Sequence, residues 1–186
     1  MWYGFRVKVL PRTKFGNPIL RAKAEKVPLS ELKTKYFKNL IERMFYTMKQ
    51  AHGIGLAAPQ ISKSIQLFVA QISPTKLRPN LKPLPKTIAI NPKIIQQSKE
   101  MEEDWEGCLS CPTIRGKVPR HKKITVVYYD EFGEKQTVRL EGLQARLFQH
   151  EIDHLNGNVY VDRMKDMKSL MTLSEFEERI LKKRKK

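Results

Sequence analysis

Apolar residues at Leu32, Tyr36, Phe37, Leu40, Ile41, Met44, Phe45 and Met48 recur at the spacing of one face of an α-helix. The stripe predicts a long amphipathic helix with Ser30 as N-cap and Gly53 past its end, its methionines and aromatics being core packing and His52 a loop residue. Residues 65–72 form an apolar run that predicts a buried strand, and residues 74–85, rich in proline and lysine, predict a surface loop. Short strands are expected at 87–91 and 94–97. Beyond an acidic stretch at 100–106, segments 124–129 and 136–140 flank Asp130-Glu131-Phe132-Gly133-Glu134, the pattern of an antiparallel hairpin. Leu143, Leu147, Ile152 and Leu155 give a second helix, 143–156, a mostly apolar side, with Gly157 placed as a left-handed C-terminal cap. A capping box of Ser174 and Glu177 precedes a short amphipathic helix marked by Phe176, Ile180 and Leu181. Strands and separated helices without βαβ alternation predict an α+β fold, antiparallel strands around a central helix. Residues 1–165 form its main part, and the terminal helix and tail, 166–186, belong to the same domain.

Composition narrows the class. A chain of 186 residues can bury a core without disulfide or zinc staples. Its longest apolar runs, such as Leu67-Phe68-Val69-Ala70, are far short of the ~20 residues of a membrane helix. Met1-Trp2-Tyr3-Gly4-Phe5-Arg6-Val7 has no secretory pattern, so a cytoplasmic protein is expected. Cys108 and Cys111 lie too close in sequence to staple a fold and suit a reducing compartment. The net charge of +17 exceeds what the basic tail Lys182-Lys183-Arg184-Lys185-Lys186 supplies. That excess favours an anionic partner such as RNA or a ribosome, and a merely solvated basic surface has comparable weight.

The chemistry concentrates in Gln149-His150-Glu151-Ile152-Asp153-His154. Two histidines four residues apart lie on one face of a helix and can share a metal ion. Glu151, beside the first, can reach a water at that metal without occupying it. Such a short pattern also arises by chance in unrelated chains, so the remaining residues decide. A catalytic site needs a third ligand and an open position, and Cys108 is the best candidate. Cys111 could instead join Cys108 in a closed four-ligand structural site, which would leave Glu151 without a water to activate. A thioredoxin-like redox pair lacks the expected strand and helix around it. Gly53-Ile54-Gly55-Leu56-Ala57-Ala58-Pro59-Gln60 reads as backbone held close to something else, or as a tight packing turn.

Taken together, Gly53-Ile54-Gly55-Leu56-Ala57-Ala58-Pro59-Gln60, Glu106-Gly107-Cys108-Leu109-Ser110 and Gln149-His150-Glu151-Ile152-Asp153-His154 closely resemble, in order and separation, the three signature motifs of the peptide deformylases. The similarity runs from about residue 15 to 164, with Asn17-Pro18-Ile19-Leu20-Arg21 and Val159-Tyr160-Val161-Asp162-Arg163-Met164 in matching places.

The resemblance implies removal of the formyl group from formyl-methionyl nascent polypeptides. Cys108, His150 and His154 would hold one divalent metal, iron(II) natively, with zinc, nickel or cobalt able to replace it. Glu151 would be the general base, and the Leu109 backbone N–H with the Gln60 amide would form the oxyanion hole. Ile54, Gly55 and Gly107 would offer main-chain hydrogen bonds to an extended substrate, and Ile54, Leu143 and Leu147 would wall the methionine pocket. Arg115 stands where the family pattern carries an arginine that supports the site or the peptide; the other reading is a plain surface arginine. Cys111 replaces a more usual aliphatic residue, and Trp105 changes the pocket rim. Two other readings remain: a general His-Glu-x-x-His metallopeptidase, which needs neither Gln60 nor Cys108, and an inactive basic module binding ribosome or RNA. The last can coexist with the enzyme if the terminal helix and tail reach ribosomal RNA.

Overall fold

The computed structural model describes residues 8–74 and 81–182. The N-terminal stretch read for a signal, most of the middle of the proline- and lysine-rich loop, and the basic tail beyond Lys182 lie outside these residues.

The first helix, α1 (Lys35–Gln50), starts later than the apolar stripe suggests. Its N-cap is Thr34, whose hydroxyl accepts the Phe37 N–H at 3.2 Å, so Ser30 is not the cap. Pro28 and the 3-10 turn Leu29–Lys33 precede it, and that turn buries Leu32 without extending the helix. Tyr36, counted in the stripe, is 60% exposed.

The following strands are β1 (Gly55–Ala57), β2 (Leu67–Ile72) and β3 (Leu84–Gln97). The two short strands expected at 87–91 and 94–97 are one strand, bent where Asn91 takes a positive φ of 51° and the pairing with the next strand shifts. The acidic stretch, given no element by the sequence pattern, is part of β4 (Met101–Cys108), which turns directly into β5 (Cys111–His121). Pro112, Pro119 and the charged residues of β5 hide its strand character in the sequence. The predicted hairpin is present as β6 (Lys123–Tyr129) and β7 (Lys135–Glu141). The second helix is α2 (Leu143–Leu155), and the chain ends with β8 (Met171–Thr172) and α3 (Leu173–Phe176), which continues as a π-helical turn, Glu177–Leu181. Thr172 caps α3 by accepting the Glu175 N–H, so the Ser174 capping box does not form. His121, expected in an exposed charge run, is half-buried with Nδ1 2.6 Å from the Ser98 carbonyl oxygen.

Among the described residues these strands make two antiparallel sheets, ordered β1-β2-β3-β6-β7 and β4-β5-β8. The larger is covered on both sides near β2, which is why Leu67-Phe68-Val69-Ala70 is uniformly apolar. Leu67 and Val69 pack with Phe37, Leu40, Met44 and Met48 of α1. Phe68 and Ala70, on the opposite face, pack with Ala145, Phe148, Ile152 and Leu155 of α2. Phe148 meets Phe68 edge to face with ring centroids 5.0 Å apart. From Gln144 to Leu155 every residue of α2 is buried, because the β4–β5 hairpin lies across its other side. Among the described residues no helix is long and apolar enough to cross a membrane.

Phe148 therefore fixes α2 on the sheet. Phe148→Ala should lower the unfolding free energy by about 3–5 kcal/mol in urea denaturation; a loss below about 1 kcal/mol would mean that this face does not hold the helix.

Candidate active site

The one-turn separation of His150 and His154 on α2 places their rings 4.9 Å apart, edge to face. The end of β4 brings Cys108 to them, with Sγ 3.2 Å from His154 Nε2. Ligand atoms of these three buried residues lie within 4.8 Å of one another, whereas Cys111 falls outside the cluster, which removes the closed four-ligand arrangement. His150 Nδ1 is 2.9 Å from a Glu106 carboxylate oxygen, leaving Nε2 for the cluster. A thiolate, two imidazoles and a carboxylate orienting one imidazole form a donor set that fits a transition metal. Burial alone would raise the Cys108 thiol, but the His154 and His150 charges and hydrogen bonds hold it well below the ordinary range. A further bond comes from the Ser110 N–H, at 3.4 Å from Sγ.

Beside this cluster is a cleft of about 520 Å³, lined by Ile54, Gly55, Gln60, Gly107, Cys108, Leu109, Arg115, Leu143, Leu147, His150 and Glu151. Thus all the sequence-derived site residues line the cleft except His154, which is fully buried and joins the site through the cluster with Cys108 and His150. Ile54 is 39% exposed and stands at the rim. Glu151 sits against Gly55: a Cβ on Gly55 would come within 2.3 Å of its carboxylate oxygen and 2.7 Å of Leu147 Cδ1. Burial raises the Glu151 carboxyl to about 7, against the opposing pull of His150 and His154. One of its oxygens has no hydrogen-bond partner although buried.

Gln60 is held by its own turn. Its Oε1 accepts the Ala57 N–H at 2.8 Å, which directs Nε2 toward Cys108 Sγ at 3.2 Å and Ser110 Oγ at 3.4 Å. The segment before α1 braces both motifs, the Thr13 N–H donating to the Gln60 carbonyl at 2.8 Å and the Phe15 N–H to the Ser110 carbonyl at 2.9 Å. Arg115 is not a free surface side chain. Its Nη1 donates to the Pro112 and Ile114 carbonyls at 3.0 and 2.7 Å, and its guanidinium lies over Gly107, where a Cβ would be only 2.5 Å away.

The sequence reading missed a buried charge network beneath the cluster. Glu106 accepts from Arg120 at 2.9 and 3.0 Å and from Arg146 at 2.9 Å, in addition to facing His150. Asp153 pairs with Arg120 and with Arg163, the latter at 2.7 Å. One signal was available: Arg146 interrupts the apolar side between Leu143 and Leu147, where a charge requires a buried partner. Burial opposes ionisation of Glu106, yet the hydrogen bonds from His150 and Arg120 hold its carboxyl far below the usual range. A lowered folded value stabilises the protein above the unfolded value, ~4.3, and the gain is lost as pH falls below it. Glu106→Gln should therefore cost about 3–5 kcal/mol near neutral pH. Denaturation across pH should show that difference shrinking below pH ~4.

The chain as a whole is similar to known proteins. The family model described as polypeptide deformylase matches residues 9–170. Peptide deformylase 2 of Nostoc sp. is 40% identical over 175 residues, covering 94% of this chain and 97% of its own. Peptide deformylase of Leptospira biflexa is 46% identical over 156 residues, 83% of this chain and 87% of its own. In structure, a class I type b peptide deformylase from Acinetobacter baumannii, solved with Met-Ala-Ser bound, superimposes with a TM-score of 0.81 at 36% identity, covering 85% of this chain and 99% of that one. Matched by the family model over residues 9–170 and by relatives over nearly their whole length, this chain belongs to the polypeptide deformylase family.

Proposed function

We propose that Cys108, His150 and His154 hold the metal with which this enzyme hydrolyses the N-formyl amide of formyl-methionyl nascent polypeptides, releasing formate. The observation that carries the reading is a buried three-ligand cluster at the floor of a cleft, with an unpartnered oxygen of Glu151 beside it. When bound, a divalent metal supplies Lewis acidity toward the formyl carbonyl and makes water reactive at neutral pH. The thiolate and imidazoles suit iron(II), which we assign as the native ion, and also zinc, nickel or cobalt.

The side chains then divide the work. Glu151, its carboxyl raised to about 7 by burial, takes a proton from the attacking water and returns it to the departing amine. The Gln60 amide, oriented by the Ala57 N–H, and the Leu109 N–H donate to the oxygen that becomes negative in the tetrahedral state. Each sheet turns an edge to the cleft. On β1 the Ile54 carbonyl is taken by the Gln71 N–H at 2.9 Å, while Gly55 pairs opposite Ala70. By the alternation of an antiparallel ladder, the Gly55 N–H and carbonyl point to the open edge and can take the substrate as an added strand. Gly107, at the irregularity of β4, meets the peptide from the other side. Leu143 and Leu147 wall the methionine pocket, Ile54 closes its rim and Arg115 supports its edge.

Anaerobic formate release from formyl-Met-Ala-Ser by protein loaded with iron(II) or nickel tests this. Glu151→Ala should retain metal and lose at least about 100-fold in kcat; wild type that binds metal and releases no formate would overturn the assignment. We further propose ribosome association in the cytoplasm, supported by the net charge of +17. Deleting residues 182–186 should weaken co-sedimentation with ribosomes, most at low salt, and make it less steeply salt-dependent, while turnover of the short peptide stays the same; unaltered sedimentation would exclude the tail.

A further inference from the structure

The wall of the cleft includes residues beyond the family-matched region, which ends at residue 170. Strand β8 adds to β5, with Met171 opposite Arg115 and Thr172 opposite Ile114. From that anchor Thr172 caps α3, and Phe176, buried, packs against Trp105 with ring centroids 5.2 Å apart. So fastened, the segment presents Leu173 and Glu177 to the same cleft as Gly55, Gly107 and Arg115.

The charged groups around this cleft are otherwise committed. Glu106 and Arg146, which also line it, are buried and paired with each other, Glu106 further with Arg120; Arg115 is bonded to two carbonyls, and His150 and Glu151 belong to the reacting end. Glu177 is exposed at the mouth, and among the described residues its carboxylate has no ion-pair partner. Position along β4 tells which part of a substrate it meets. Cys108 marks the formyl group, and the strand runs back from it through Glu106 to Trp105, the residue on which α3 is seated. Leu173 and Glu177 therefore stand beside the residues that follow methionine.

Building on the deformylase reading, we infer that Glu177 is a specificity residue that favours formyl-methionyl peptides carrying lysine or arginine at the second or third position. On a chain of net charge +17 such peptides meet general repulsion, and a single carboxylate at the cleft mouth reverses it locally.

The test compares kcat/KM for formyl-Met-Lys-Ser with formyl-Met-Glu-Ser, and for formyl-Met-Ala-Lys with formyl-Met-Ala-Glu, using metal-loaded wild type and Glu177→Gln. Formyl-Met-Ala-Ser is the reference. The substitution should lower the lysine-to-glutamate ratio about two- to five-fold at one of the two positions, the size of an exposed ion pair. The change should appear in KM, since the group is remote from the reacting bond, and shrink in about 1 M salt. Equal ratios in wild type and variant at both positions, with the reference turned over, would overturn this inference alone. A wild type inert toward the reference would overturn it together with the hydrolase reading.

Discussion

Everything at the reactive end rests on one buried carboxylate. Glu106 ends the straight part of β4 and receives two guanidinium groups, Arg120 from β5 and Arg146 from α2, while also holding His150. It thereby ties the small sheet to the central helix in a single register. Burying so many charges is costly in desolvation, and ion networks of this kind are more readily explained by the geometry they impose than by net stability. Here the imposed geometry is the orientation of an imidazole and, two residues further along β4, the placing of the Cys108 thiolate. Asp153 and Arg163 extend the same lattice to the far end of α2.

The two sheets meet at α2 because that helix is apolar toward one and ionic toward the other. Toward the large sheet it offers Phe148, Ile152 and Leu155, which interlock with residues of β2. Toward the small sheet it offers Arg146, His150 and Asp153, each satisfied by a charged partner. A helix buried on all sides but carrying charges on one of them has little freedom to rotate, since any rotation would carry ionised groups into the apolar face. That constraint keeps His150 and His154 aimed at one point.

Much of this was legible in the sequence, for physical reasons that differ from residue to residue. The helical spacing of Leu143, Leu147, Ile152 and Leu155 located α2, and the hairpin β6–β7 followed from alternation and its glycine turn. His150, Glu151, His154 and Cys108 declared themselves by type and spacing, and the structure brings them to one cleft or its floor. The start of α1 was misplaced because Ser30 and Thr34 are both competent caps, and the choice was made by the 3-10 turn between them. The β4–β5 hairpin was illegible because charged residues and two prolines break up its alternation, and it is stabilised by long-range partners on α2 that no local window contains. The N-cap of the C-terminal helix was read at Ser174 for the same kind of reason, since Thr172 is selected by its pairing with β5.

The bracing of Gln60 and Ser110 by Thr13 and Phe15 bears on how the protein comes into being. Its reactive groups are recruited from distant parts of the chain: Cys108 and His154 are separated by 46 positions, and the turn residue Phe15 that steadies Ser110 comes from far upstream, long-range contacts of the kind that slow folding. A half-folded molecule thus holds a thiol that has not yet met the two imidazoles and the carboxylate carried together on α2. The full donor set is therefore assembled only by contacts that span most of the chain.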